Sequence, residues 1–326
     1  MISNLDRTVS NEFAGIIIVG PTASGKSRLA LALAQSFRGE IVSCDALQIY
    51  RYMDIGTAKA SSADRALVPH HMLDIRYPDE DFSAGDYQRI ARQVIAEISA
   101  RGNLPFVVGG SGFYLRALID GLFEGPARVP ALRERMRQII ERRSPRVLHR
   151  ALRRVDPESA HRIAENDSER IIRAYEVYLV SSKPMSWWQK QPRSALQGYR
   201  WLKIGINLPR ALLYRKIDQR VEEMFRSGFI EEVQALLSRF PRQSQALKAI
   251  GYRQVADYLE GKLSLQQALE STKIESRHYA KRQLTWLRAD PGITWLDGSG
   301  NFLDLKNQAA ELIKSFLDKQ CDGTSP

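Results

Sequence analysis

Eight consecutive residues carry the clearest chemistry in this 326-residue chain: Gly20-Pro21-Thr22-Ala23-Ser24-Gly25-Lys26-Ser27. They fit the P-loop pattern G-x-x-x-x-G-K-[ST], set between a short apolar β-branched run (14–19) and a stretch of helical periodicity (26–37). Glycines allow the tight backbone path, and successive amides at a helix start face phosphate oxygens. Lys26 adds a mobile charge, and the Ser27 hydroxyl is placed to ligate Mg2+. The motif predicts a bound diphosphate or triphosphate, ATP among them, without choosing between them.

A second chemical residue, Asp45, ends the run Ile41-Val42-Ser43-Cys44. At the carboxyl end of a strand neighbouring the phosphate loop, its carboxylate can accept a proton from an attacking amine or organise a metal; a structural cap is the other reading. Gln48 offers an amide able to hold an adenine edge. His70, His71 and Asp74 lack a defined ligand spacing, so pocket-edge or structural roles are expected of them in preference to a metal site. Trp187 and Trp188 are expected to pack.

These residues need elements to hold them. Strands are expected at 14–19, 41–44, 104–108 and 201–206, with helices at 26–37 and 83–101, a βαβ pattern. Residues 126–200 change character, holding 17 Lys and Arg against 8 Asp and Glu. Helices are expected there at 129–143, at 147–154 and, after Asp156-Pro157, through 180, followed by more helices over 209–288. The expected fold class is α/β: a P-loop NTPase-like core with a parallel sheet flanked by helices (1–125 and 201–326), and a mainly helical, Arg-rich insertion domain (126–200).

Composition narrows the partners. The formal net charge is +11, which favours a polyanion. The insertion arginines, Arg133, Arg135, Arg137, Arg142, Arg143, Arg146, Arg150, Arg153 and Arg154, read either as a phosphate-tracking surface or as a solvated helix face. Cys44 and Cys321 are the only cysteines, too far apart for a ligand pair, so neither a disulfide scaffold nor a zinc site is expected. The polar opening segment and the shortness of the apolar runs predict a cytoplasmic protein with no membrane partner.

Five separated motifs, in order, resemble those of the bacterial tRNA dimethylallyltransferases: Gly20 to Ser27; Asp45-Ala46-Leu47-Gln48-Ile49-Tyr50; Asp54-Ile55-Gly56-Thr57-Ala58-Lys59; Val108-Gly109-Gly110-Ser111-Gly112-Phe113-Tyr114; and Lys281-Arg282-Gln283-Leu284-Thr285-Trp286-Leu287-Arg288. The resemblance implies transfer of a dimethylallyl group from dimethylallyl diphosphate to N6 of the adenine at position 37, beside the anticodon, in tRNAs reading codons that begin with U. It makes Asp45 the base, sets Ser111 beside the acceptor adenine, gives the P-loop to the diphosphate with Arg210 and Arg220 near it, and implies a monomer. The tRNA anticodon stem-loop would meet Asp45, Ala46, Leu47, Gln48, Ser111, Arg133, Glu169, Arg170, Ile171, Ile172, Arg173, Lys248, Gly251, Tyr252, Arg253, Lys281, Arg282, Gln283, Trp286 and Arg288. For Tyr252 and Trp286, base stacking and core packing both stay open. The family commonly has serine where this chain has Ala46, and threonine where it has Ser111. An ATP-dependent kinase and a non-catalytic RNA-binding protein are the alternative readings of the same P-loop.

Overall fold

In the computed structural model, which describes residues 12–318, the chain runs through β1 (Phe13–Val19), α1 (Lys26–Ser36), β2 (Gly39–Cys44), α2 (Ser62–Leu67), β3 (His70–His71), α3 (Ala84–Ala100), β4 (Leu104–Gly109) and α4 (Gly112–Ile119). Five helices follow: α5 (Pro130–Arg142), α6 (Pro145–Val155), α7 (Pro157–Arg162), α8 (Ser168–Ser181) and α9 (Met185–Gln189). The chain then forms β5 (Tyr199–Asn207), α10 (Arg210–Arg226), α11 (Phe229–Leu237), α12 (Tyr252–Leu259), α13 (Leu265–Leu287), β6 (Ile293–Asp297) and α14 (Phe302–Asp318). Cys321 and the first eleven residues, on which the expectations about cysteines and the polar opening partly rest, lie outside the described residues.

The six strands make one parallel sheet in the order β3-β2-β4-β1-β5-β6. β1 lies inside it, with β4 and β5 on either side, and Ile16, Ile17 and Ile18 are all fully buried. This explains the unbroken apolar run: a parallel strand covered on both faces has no side to give to water. On one face, Leu29 and Leu33 of α1 join Ile16, Ile18, Phe106, Val108, Ile204 and Ile206 in the core. Each such side chain contributes roughly 1.5–3 kcal/mol through burial.

The sheet order differs from expectation at one point that matters for the site. β2 does not adjoin β1; β4 lies between them. Register nevertheless brings the three strand ends level, because Val19 pairs with Gly109 and Gly109 with Cys44. The loops at Gly20, Gly110 and Asp45 therefore leave the same edge of the sheet side by side. Local hydrophobic pattern predicts strands; it does not say which strand inserts between which, so the intervening β4 left no mark in the sequence.

The chain divides into two compact units, one made of residues up to Ile119 and from Leu196 onward, the other of Asp120–Ala195. The division falls a few residues before the positions read from composition, because the Leu196 amide donates to the Ile119 carbonyl at 2.8 Å and draws the two chain crossings together there. Within the second unit, the helix expected to run unbroken to residue 180 is split into α7 and α8. The first ends where Ile163 turns extended, and Asp167 starts the second: its side chain accepts from the Arg170 amide at 3.1 Å and caps α8. Among the described residues, no helix is long and apolar enough to cross a membrane.

Candidate active site

The P-loop turns through a left-handed residue at Ala23 (φ 62°) and again at Gly25 (φ 90°), which caps α1 without lending a side chain to its amides. A helix N-terminus left in this state is an anion site. The Ser24 hydroxyl is buried and has no hydrogen-bond partner among the described residues, an unmet group at the place where phosphate oxygens would lie. Lys26 donates to the Pro21 carbonyl at 3.3 Å. Burial, with the nearby Arg220 guanidinium, lowers its pKa to about 8, while Asp45 acts in the opposite direction. The cradle is short of negative charge.

Arg220 reaches this loop from α10. Its Nη1 donates to Thr22 Oγ1 at 2.9 Å and its Nη2 to the Thr57 carbonyl at 3.3 Å. Arg210, expected to share the task, begins the same helix about 15 Å away along its axis; it is exposed, with its guanidinium over the Tyr214 ring at 5.1 Å. α10 thus directs one of the two arginines into the site.

Asp45 leaves β2 in a tight turn: its Oδ1 accepts from the Leu47 amide at 2.9 Å and the Gln48 amide at 3.4 Å. Among the described residues nothing is hydrogen bonded to Oδ2. The turn therefore fixes the carboxylate and leaves one oxygen for chemistry, so that the capping and catalytic readings are compatible. Ser111 locks onto the same turn, its Oγ accepting from the Ala46 amide at 3.2 Å and its own amide donating to the Cys44 carbonyl at 3.3 Å. Burial raises the Cys44 thiol to about 12, which keeps it inert.

Thr22, Asp45 and Arg220 line a cavity of about 380 Å³. Its lining includes the polar side chains of Thr22, Asp45 and Arg220 and the apolar ones of Ala46, Leu47, Ile217, Val221, Met224 and Ile250. Lys248 and Arg282 also line it. Ser27 and Gln48 face a separate cavity of about 240 Å³.

Several expected RNA contacts have other work. Gln48 accepts from Ser43 Oγ at 2.9 Å and donates to the Thr57 carbonyl at 3.3 Å, fastening two loops. Gln283 is buried, accepting from the Thr22 amide at 2.9 Å and donating to the Gly110 carbonyl at 3.1 Å. Tyr252 is fully buried, edge-on to Phe229 and hydrogen bonded to Glu232, so it packs. Gly251 beside it is buried too, its amide donating to Gln254. Ile171 and Ile172 have no exposed surface. Trp286 is half-buried between Gly112 and the Arg116 guanidinium.

On the surface of the first unit, Arg253 pairs with Glu275, Arg288 donates to Asn207, and Lys281 is exposed. In the second unit, Arg133 pairs with Glu169 and with the fully buried Glu176, which Arg173 also reaches. Arg170 is exposed beside Asp167. Trp188 is partly buried and Trp187 is 40% exposed, the two rings edge to face.

The Asp54 to Lys59 motif is braced by its neighbours, and its Gly56 and Thr57 line the cavity. Glu232 accepts from the amides of Asp54, Ile55 and Gly56, and the buried Lys59 ammonium binds Asp54, Asp74 and the Tyr50 carbonyl. His71 meets Glu40, His70 meets the Val68 carbonyl, and Asp74 meets Lys59 and Arg65, so the three do not converge. Among the described residues, no group of three His, Cys, Asp or Glu side chains is placed to hold a metal ion.

A missed residue completes the site. Tyr279 of α13 lines the cavity; burial and the Asp45 charge push its phenol up to about 12. The signal was present in the spacing: Thr272, Ser276, Tyr279, Gln283 and Trp286 recur at intervals of four and three, one face of a helix. A Cβ on Gly110 would lie 2.1 Å from Gln283 Nε2, and one on Gly112 would lie 2.2 Å from the Trp286 ring. The glycines of the fourth motif thus exist to receive the fifth.

Residues 48–290 match the model of a known family, IPP transferase. The chain belongs to the IPP transferase family. It is 46% identical over 299 residues to a tRNA dimethylallyltransferase of Koribacter versatilis, covering 92% of this chain and 97% of that protein. It is 48% identical over 284 residues to one from Geobacillus thermodenitrificans, covering 86% and 90%. Among solved structures it resembles the full-length tRNA isopentenylpyrophosphate transferase of Bacillus halodurans, with a TM-score of 0.71, 37% identity, and 95% and 98% of the two chains covered. It also resembles a eukaryotic dimethylallyltransferase acting on tRNA, with a TM-score of 0.77, 26% identity, and coverage of 94% and 80%.

Proposed function

We propose that the cradle and the cavity beside it are one reaction centre, in which the chain transfers the dimethylallyl group of dimethylallyl diphosphate to N6 of adenine 37 in tRNAs reading codons that begin with U. Family membership carries the reaction class. The observation that carries the arrangement is the single cavity lined by Thr22 and Arg220 of the anion site, by Asp45, and by Ile217, Val221 and Met224.

Leaving-group departure is the first requirement. As the C1–O bond breaks, negative charge grows on the diphosphate, and the loop amides, Lys26 and Arg220 are already oriented toward it. Ser27 is the residue that would hold Mg2+ through its hydroxyl, and the ion would supply further neutralisation of the departing anion. The apolar side of the cavity takes the uncharged five-carbon tail and keeps water from the electrophilic carbon.

The acceptor nitrogen is weakly nucleophilic because its lone pair is delocalised into the purine, so alignment and proton removal set the rate. The base must leave its stack to reach the cavity. Its N6 lone pair forms the new bond to C1, the C1–O pair leaves with diphosphate, and the N6 proton passes to Asp45 Oδ2. In the second unit, exposed arginines supply attraction to the phosphates of the anticodon stem-loop.

Incubating the protein with dimethylallyl diphosphate, Mg2+ and unmodified tRNA, and weighing the RNA by mass spectrometry, tests the reading. One added dimethylallyl group on adenine 37 is the expected result. An unchanged RNA mass, with phosphate transferred to a small molecule in a parallel incubation with ATP, would overturn it.

A further inference from the structure

A donor held by its diphosphate, with C1 beside Asp45, must end its apolar tail somewhere in the cavity, and α10 supplies a scale for where. Ile217, Arg220 and Met224 all line the cavity from this helix. Arg220 marks the anion, since its guanidinium donates to Thr22 of the phosphate loop. Met224 follows one turn later on the same helical face, about 6 Å further along the axis.

Two helices in fixed register build the wall at that height. Glu222 pairs with Lys273 at 2.9 Å and Asp218 with Arg277 at 2.6 Å. Four residues back along α10 match four forward along α13, so the helices run antiparallel and Met224 comes level with Thr272. Both residues line the cavity and both are buried. The Thr272 hydroxyl is turned into its own helix, Oγ1 donating to the Ala268 carbonyl at 2.7 Å. Met224 shares a core cluster with Phe229 and Tyr252, which have no exposed surface. Leu47, carried two residues beyond Asp45, packs against that same cluster, whereas Ile217 and Val221 belong to another, with Leu208, Leu213 and Ala280. A tail that starts beside Asp45 therefore has Leu47 along it and Met224 at its end.

We propose that Met224 is a specificity-determining residue that limits the donor to a five-carbon tail. From C1 to its methyl carbons a dimethylallyl group spans three C–C bonds, about 4 Å, which fits between the anion at Arg220 and the Met224 side chain. A longer tail would have to drive Met224 into Phe229 and Tyr252, and a close-packed core resists that. The bond made to N6, the C1–O bond broken and the proton passed to Asp45 are the same for either donor, so selection acts through fit alone. The inference rests on the proposed function.

The test compares dimethylallyl diphosphate with 3-methylhept-2-enyl diphosphate, the same donor lengthened by three carbons, which match the three heavy atoms that Met224→Ala removes. Wild-type transfer of the dimethylallyl group to tRNA is measured first, and its absence would sink the reaction assignment itself. Given transfer, the wild type is expected to favour the short donor in kcat/KM, and Met224→Ala to shift the long-to-short ratio upward by about tenfold or more. The ratio is taken within each protein, so a loss of folded enzyme cancels. Met224→Phe, which keeps the core filled, should weaken dimethylallyl diphosphate severalfold relative to inorganic diphosphate, a competitor with no tail. Equal ratios in wild type and Met224→Ala, a gain for the long donor confined to Ile217→Ala, or a Met224→Phe enzyme with the wild-type preference for the prenylated over the bare diphosphate would overturn the proposal.

Discussion

In the phosphate cradle, Lys26 and Arg220 are held by Pro21, Thr22 and Thr57, whereas on the second unit Arg135, Arg142, Arg143, Arg150 and Arg154 are exposed and, among the described residues, enter no ion pair. The two groups have the same charge and opposite mechanics. A cation meant to stabilise a developing charge must be in place beforehand, because reorganisation during the reaction would cost what the interaction provides. A cation meant to attract a polyanion can remain solvated, since counterion release is indifferent to exact geometry. Even within the second unit the distinction recurs, for Arg133 and Arg173 are tied to buried Glu176 and shape the helices while their neighbours face water.

The comparison can be broken or sharpened by experiment. Asp45→Asn keeps an oxygen for the turn and removes the proton acceptor, so single-turnover rates should fall about 10²–10⁴-fold with tRNA affinity held; parallel losses in rate and affinity would reassign Asp45 to binding. Glu176→Ala strands two guanidiniums around a buried position and should destabilise the protein by about 3 kcal/mol, read as a lowered denaturation midpoint, with a smaller change in the reaction rate at low temperature.

A pH series probes the cradle next. Lys26 has its pKa lowered to about 8, so affinity for inorganic diphosphate should decline as the pH rises through that value, by up to about tenfold per unit beyond it. The ligand-free fold should behave in the opposite sense. Keeping a desolvated ammonium charged disfavours the folded state below pH 8, and that penalty lifts as the folded protein sheds the proton before the unfolded chain does. The smallest effect belongs to the solvated arginines: Arg142→Gln with Arg143→Gln should weaken tRNA binding a few-fold and flatten the slope of log affinity against log salt by about one for each phosphate no longer neutralised. An unchanged slope would make this face a solubility surface.

How much of this was legible in the sequence depended on whether the signal was local. The P-loop was readable because its function is performed by its own backbone, between an element that must precede it and one that must follow. Asp45 was readable as the end of a strand, yet its neighbour in the sheet was not, since pairing order is decided by packing. Gln48, Tyr252 and Gln283 show the limit in another form. A polar or aromatic side chain in a motif invites a contact with substrate, and only the folded structure reveals the contacts it makes within the protein. Tyr279 escaped for the converse reason, lying just outside the stretch that drew attention although on the same helical face. In the second unit, the break before α8 turned on one aspartate serving as a cap, a choice that helix periodicity alone does not register.

The clasp made by Gln283 has a further consequence for anyone trimming this protein. A fragment ending shortly before that residue would keep the entire phosphate-binding loop and the strand leading to Asp45, yet nothing would hold the Thr22 amide against the Gly110 carbonyl. The minimal catalytic piece must therefore extend through α13, and drift at Gly110 would have to be answered 173 residues downstream.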